Sequence, residues 1–171
     1  MNKIKLLAAS LALISVTAHA GVRDIGQLDH GTFFEDTFGV SLSGKTPSFS
    51  ETIKFSLLPA SDLSTTIWLN QRGNFNGLLQ FVTASITDKT GKVLWTESKY
   101  GTKGFAAELG SLLSPGGEYN LNLSGKLANG ASSYNGKFSY SLNVSAVPEP
   151  ETYALMGLGL TALLLRRRKR F

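Results

Sequence analysis

The sequence predicts an all-β fold, one antiparallel β-sandwich of about eight strands. Three observations carry that expectation. Apolar residues in the central region recur at every second position, the pattern of strands with one buried face. Glycine recurs at short intervals, at positions 73, 77, 101, 104, 110, 116, 117, 125, 130 and 136, as turns between short strands require. Helical signals are nearly absent, and only residues 105–113 could form one or two helical turns.

Residues 1–20 have the build of a signal peptide. Lys3 and Lys5 form the basic start, residues 6–16 the apolar run, and Ala18-His19-Ala20 the small-x-small cleavage site. The mature chain is then expected to begin at Gly21 and to keep His30 as its one histidine. Residues 21–146 are enough for one domain with a real core and too few for two. Residues 147–171 form a separate tail.

Charge is distributed unevenly. Of 17 Lys and Arg, two lie in the signal peptide and five in the tail, and of 12 Asp and Glu two lie in the tail, so ten of each sign remain in the domain. The domain is therefore neutral, and the sequence pI near 9.5 reports targeting segments and not a nucleic-acid partner. With no cysteine in an exported chain, no disulfide holds the domain, which must rest on its core or on a ligand.

Taken in order, Phe34, Asp36, Phe38, Val40 and Leu42 share one face of the first clear strand. Phe49, Ile53, Phe55 and Leu57 alternate with Ser50, Thr52, Lys54 and Ser56, and Pro59 ends that strand because it cannot donate to a ladder. Residues 63–69 follow. Residues 78–87 and 93–100 are joined across Asp88-Lys89-Thr90-Gly91-Lys92, a five-residue link with glycine that signals a hairpin. In residues 118–127, Tyr119, Leu121 and Leu123 oppose Asn120, Asn122 and Ser124. Phe138, Tyr140, Leu142 and Val144 oppose Ser139, Ser141, Asn143 and Ser145 in the last strand, with one buried and one wet face. Asn122-Leu123-Ser124 and Asn143-Val144-Ser145 fit a glycosylation pattern, but we read them as polar residues on wet strand faces.

Candidate functional residues are few. A carboxylate between two phenyl rings on one strand face, as Asp36 is between Phe34 and Phe38, must be paired or hydrogen-bonded. It could lock the sheet rim by accepting backbone N–H groups of a neighbouring loop. It could ligate Ca²⁺ with Glu35, Asp29 or backbone carbonyls, or it could touch a partner or glycan. Trp68 and Trp95 are candidate sugar platforms, although both types are more often core. If Leu63, Ile67 and Leu69 face inward, Trp68 faces out and is the better candidate. Catalysis is not expected: the mature chain has no second histidine, no cysteine and no Gly-x-Ser-x-Gly elbow, and Glu35 and Asp36 point to opposite strand faces. His30 beside Asp29 is expected to be a solvated loop residue. No cofactor is implied.

The tail runs from Pro148-Glu149-Pro150 through a charge-free apolar run, residues 154–165, to Arg166, Arg167, Arg168, Lys169 and Arg170. The prolines make the tripeptide a stiff break, and a helix over residues 153–165 would span roughly 20 Å at about 1.5 Å per residue, short against a hydrocarbon core of about 30 Å. This order of features is similar to the tripartite PEP-CTERM sorting signal of Gram-negative bacteria, with an apolar run a few residues shorter than most. The resemblance implies a short transmembrane helix held in the inner membrane with the cations cytoplasmic, recognition by an exosortase, a membrane-embedded cysteine protease-transpeptidase, and cutting near Pro-Glu-Pro. A simple tail anchor is the alternative, with the same orientation. Phe34, Asp36 and Phe38 also resemble the Phe-x-Asp-x-Phe motif of a PEP-CTERM subfamily. The strand and turn order from Asp88 to the final Gly-Tyr-type strand resembles jelly-roll sandwiches of bacterial pre-peptidase C-terminal type, which bears on fold alone.

Two function classes follow. The first is a non-catalytic protein of the cell surface or extracellular matrix, placed in an exopolysaccharide, biofilm or floc setting. The second is a carbohydrate-binding or Ca²⁺-dependent binding module.

Overall fold

A computed structural model describes residues 20–43, 48–71, 78–148, 152 and 154–161. Among them are nine strands: β1 (Ala20–Leu28), β2 (Phe33–Ser43), β3 (Ser48–Leu57), β4 (Ser61–Gln71), β5 (Leu79–Asp88), β6 (Val93–Thr102), β7 (Phe105–Ser114), β8 (Gly117–Leu127) and β9 (Ser133–Ala146). They form two sheets, one of five strands in the order β1-β3-β8-β5-β6 and one of four in the order β2-β9-β4-β7.

The period-two pattern sets which side chains meet. Ile53, Leu63, Ile67, Leu69, Val82, Ile86, Leu121, Leu123, Phe138, Tyr140, Leu142 and Val144 are all fully buried, and side chains from both sheets join one core. Phe138 of β9 joins the layers, stacking on Phe38 of β2 at 5.4 Å and meeting Phe49 of β3, in the other sheet, at 5.4 Å.

The Asp88 hairpin forms as its sequence predicts. Gly91 N–H donates to the Asp88 carbonyl at 3.0 Å, and Asp88 Oδ1 accepts Thr90 N–H at 2.8 Å, the Thr90 hydroxyl at 2.6 Å and Lys92 N–H at 3.1 Å. The Thr90 hydroxyl leads the effects that hold the Asp88 carboxyl below its ordinary range. At the β7–β8 turn Gly116 has φ +94°, and a Cβ there would lie 2.8 Å from Pro59 N, so the turn needs glycine twice over.

Three expectations are corrected. The sheets are not wholly antiparallel, because β1 pairs with β3 in parallel. β2, which stands between them in the chain, lies in the other sheet, so β1 and β3 are not joined as a hairpin and meet running the same way. Residues 105–113, the one candidate helix in the domain, are strand: pairing with β4 along the sheet overrides the local pattern. Nine strands stand where about eight were expected.

The expected signal peptide lies outside the described residues except for Ala20, the first residue of β1. Residues 154–161 are helical, with Leu155, Met156, Leu158 and Leu160 exposed. Among the described residues no helix is long and apolar enough to cross a membrane. The expected transmembrane helix is thus not shown among the described residues. Glu149, Pro150 and the cluster Arg166 to Arg170 lie outside the described residues.

Candidate functional site

The Phe34-Asp36-Phe38 face of β2 builds a junction between the two sheets. Asp36 Oδ2 accepts Arg23 Nη1 of β1 at 3.0 Å, and Arg23 Nε donates to Glu51 Oε1 of β3 at 2.8 Å. The Glu51 side chain is only 10% exposed, against about a third for Arg23 and Asp36. The Arg23 guanidinium also lies 5.3 Å from the Phe38 ring centroid. One arginine therefore ties β1 and β3 of one sheet to β2 of the other.

Asp36 is paired, as its place between two phenyl rings requires, but not by the backbone N–H groups of a neighbouring loop. The cation is a side chain on the facing sheet, and the backbone N–H it accepts is that of its own neighbour Thr37, at 2.7 Å. Phe34 meets Tyr140 of β9 at 6.2 Å between ring centroids.

Tyr140 stands opposite Asp36 in the β2–β9 register. It is fully buried, and its hydroxyl makes no hydrogen bond of good geometry among the described residues, although the Asp36 carboxylate lies close enough to act on it as a weak acceptor. Burial first, and then the Asp36 charge, keep this phenol protonated far above its ordinary range. A buried hydroxyl without a partner costs about 1–3 kcal/mol of desolvation. Tyr140→Phe should therefore leave stability unchanged or raise it by about 1 kcal/mol. A thermal melt that instead showed clear destabilisation would mean that the hydroxyl is satisfied.

The calcium candidates are not brought together. Asp36 is committed to Arg23, Glu35 is exposed on the opposite face of β2, and Asp29 accepts Gln27 Nε2 at 2.8 Å in the turn after β1. No group of three or more His, Cys, Asp and Glu side chains suited to a metal occurs among the described residues. His30 is exposed in the same turn, its Nε2 3.0 Å from the Ser61 hydroxyl.

Trp68 faces outward, as its parity predicts, and is 40% exposed. In register beside it stand Ala106 of β7 and Ser139 of β9, with Thr37 of β2 beyond, hydrogen-bonded to Ser139 at 3.1 Å. The two cross-strand neighbours of Trp68 are thus small side chains. Thr66, Glu108, Asn70 and Lys137 occupy the adjoining positions of the same outer face. Trp95, by contrast, is partly buried against the core.

Sequence reasoning missed Arg23 and Glu51. The signal for Glu51 was present: it has the parity of Phe49, Ile53 and Phe55, and a carboxylate on a core face calls for a cation. Tyr100, 75% exposed on edge strand β6, carried no signal that set it apart.

Val147 N–H donates to the Ala60 carbonyl at 2.8 Å, the last such backbone tie among the described residues, and Pro148 is exposed. Residues 146–169 match the PEP-CTERM protein-sorting motif. No curated protein matches the chain significantly. Among solved structures the chain is similar to the pre-peptidase C-terminal domain of a collagenase from Bacillus anthracis, at 15% identity over 76% of this chain and 100% of that one, TM-score 0.38. It is also similar to TmCBM61 in complex with beta-1,4-galactotriose, at 15% identity over 63% and 68%, TM-score 0.41. A third similar structure is PliG of Aeromonas hydrophila, a periplasmic inhibitor of g-type lysozyme, at 10% identity over 74% and 100%, TM-score 0.35. Likenesses at this distance carry no functional argument.

Proposed function

We propose that the chain is an exported, non-catalytic protein that an exosortase processes near Pro148-Glu149-Pro150 and that takes its place on the cell surface or in the extracellular matrix of a Gram-negative bacterium. The domain is read as a jelly-roll-like sandwich, and Phe34, Asp36 and Phe38 as the motif of the Phe-x-Asp-x-Phe subfamily. One observation carries the proposal: the sorting-motif match begins where the domain ends, with Val147 tied to Ala60 and Pro148 already exposed. A membrane protease could then cut the tail without unfolding β9, whose partners are β2 and β4. In this reading the apolar run holds the chain transiently in the inner membrane, Arg166 to Arg170 stay cytoplasmic, and the matrix setting is one of exopolysaccharide, biofilm or floc.

Intact mass of the protein recovered from the surface or medium of its native bacterium tests this. A mass ending near Pro148 to Pro150, with or without an added group, is expected. A mass that retains Arg166 to Phe171 would replace sorting with a tail anchor.

A second reading, a carbohydrate-binding module, is favoured by the exposure of Trp68 on a sheet face with small neighbours. Indole faces stack on sugar rings, and side chains like Asn70, Glu108 and Lys137 would hydrogen-bond ring hydroxyls. Trp68→Ala should then abolish retention on immobilised exopolysaccharide while changing stability by about 1 kcal/mol or less. Unchanged retention would end this reading. Its Ca²⁺-dependent form would require a rise in melting temperature on adding calcium.

A further inference from the structure

Gly21 pairs with Glu51 in the parallel β1–β3 register. The Glu51 carboxylate packs so closely on the Gly21 backbone that a Cβ at position 21 would collide with Oε2, Cδ and Oε1 alike. No residue but glycine fits there without moving a carboxylate that is nearly buried and already held by Arg23 through Oε1. The niche is also unbalanced in charge. Among the described residues, Asp36 and Glu51 are two carboxylates facing one guanidinium, Arg23, with the neutral phenol of Tyr140 behind them. A partly buried group with an excess negative charge is costly unless a second cation meets it.

Gly21 is also the residue expected to become the first of the mature chain. We propose that removal of the leader after Ala20 creates that second cation: the new α-ammonium of Gly21 pairs with Glu51 Oε2 and closes the Glu51–Arg23–Asp36 cluster. Before the cut, the Gly21 nitrogen is a neutral amide and Glu51 has no such partner at position 21. After it, the cluster holds two positive and two negative charges, and the terminus is fastened to the junction between the sheets. The hydrolysis is that of an ordinary peptide bond, with water supplying the hydroxyl to Ala20 and the proton to the Gly21 amine. The proposal rests on the signal-peptide reading and adds to it a role for the terminus that the cut produces.

Amine labelling of the exported full chain, read by mass spectrometry, tests both and tells them apart. At near-neutral pH an acylating reagent modifies only the unprotonated amine. An ion pair that raises the α-amine pKa by one unit slows labelling about ten-fold, with surface lysines of the same molecule as the internal reference. We expect slow labelling of the Gly21 amine in the wild-type chain and several-fold faster labelling in Glu51→Gln. Should Glu51→Gln fail to fold, one alanine inserted between Ala20 and Gly21, with cleavage before the inserted residue, moves the amine away and leaves Glu51 in place. Faster labelling is expected there too. Equal rates in the wild type and these variants would overturn the proposal and leave the signal peptide intact. An N-terminal peptide beginning elsewhere than Gly21 would overturn the cleavage reading and the proposal with it.

Discussion

Phe138→Ala is expected to destabilise the domain by about 4 kcal/mol. The ring is fully buried and touches both layers, stacking on Phe38 within its own sheet and meeting Phe49 of the opposite one. Truncation removes the transfer free energy of a whole phenyl group and leaves a cavity whose walls belong to two hydrogen-bonded sheets. Those walls cannot collapse without breaking ladders, so relaxation recovers little. Set against a typical stability of about 5–15 kcal/mol, the loss is large, and the chain has no disulfide to offset it. Urea denaturation followed by tryptophan fluorescence should show a lower midpoint with an unchanged slope. A loss under about 1 kcal/mol would mean that the sheets do not pack through this ring.

Arg23→Ala is expected to cost about 3 kcal/mol. Removing the guanidinium leaves Glu51, with its side chain 10% exposed, and Asp36 facing each other without their shared arginine, and takes away the cation over Phe38. The cost comes less from lost attraction than from carboxylates left in a poorly hydrated place. Neutralising one of them should therefore recover stability. Glu51→Gln in the Arg23→Ala background is expected to be more stable than Arg23→Ala alone, and a double-mutant cycle would show coupling of about 1 kcal/mol or more. Additive effects would mean that Arg23 and Glu51 do not interact. Both expectations concern the same junction from different sides, Phe138 through dispersion and burial, Arg23 through charge.

Much of this was legible in the strands taken one at a time. Tyr119, Leu121 and Leu123 of β8, and Phe138, Tyr140, Leu142 and Val144 of β9, are buried on the face their spacing assigns. Trp68 is exposed for the same reason, lying between Ile67 and Leu69, both of which are fully buried. The Asp88 turn formed because its aspartate and glycine meet the needs of a tight reversal within five residues. Residues 105–113 were less legible: two alanines, a glutamate and three leucines in that stretch suit a helix locally, and only the neighbouring strand β4 decides otherwise.

The candidate site was legible only in outline. That Asp36 needed a partner follows from its place between two phenyl rings. That the partner is Arg23, thirteen residues earlier, follows only from β1 and β2 lying in different sheets. Arg23 meets Glu51 across twenty-eight residues because β1 pairs with β3 in parallel.

The sequence by itself determined the all-β class, which residues face the core in the strands whose alternation is regular, such as β3, β8 and β9, the neutrality of the domain and the charge-segregated tail matched by the sorting motif. These are local properties: alternation, turn chemistry and composition act within a few residues of chain. The tertiary structure alone decided strand order, the parallel β1–β3 pair and the carboxylates that one arginine joins. Those depend on which faces bury together across the whole domain, a choice made by the total burial of two sheets and not by any one strand.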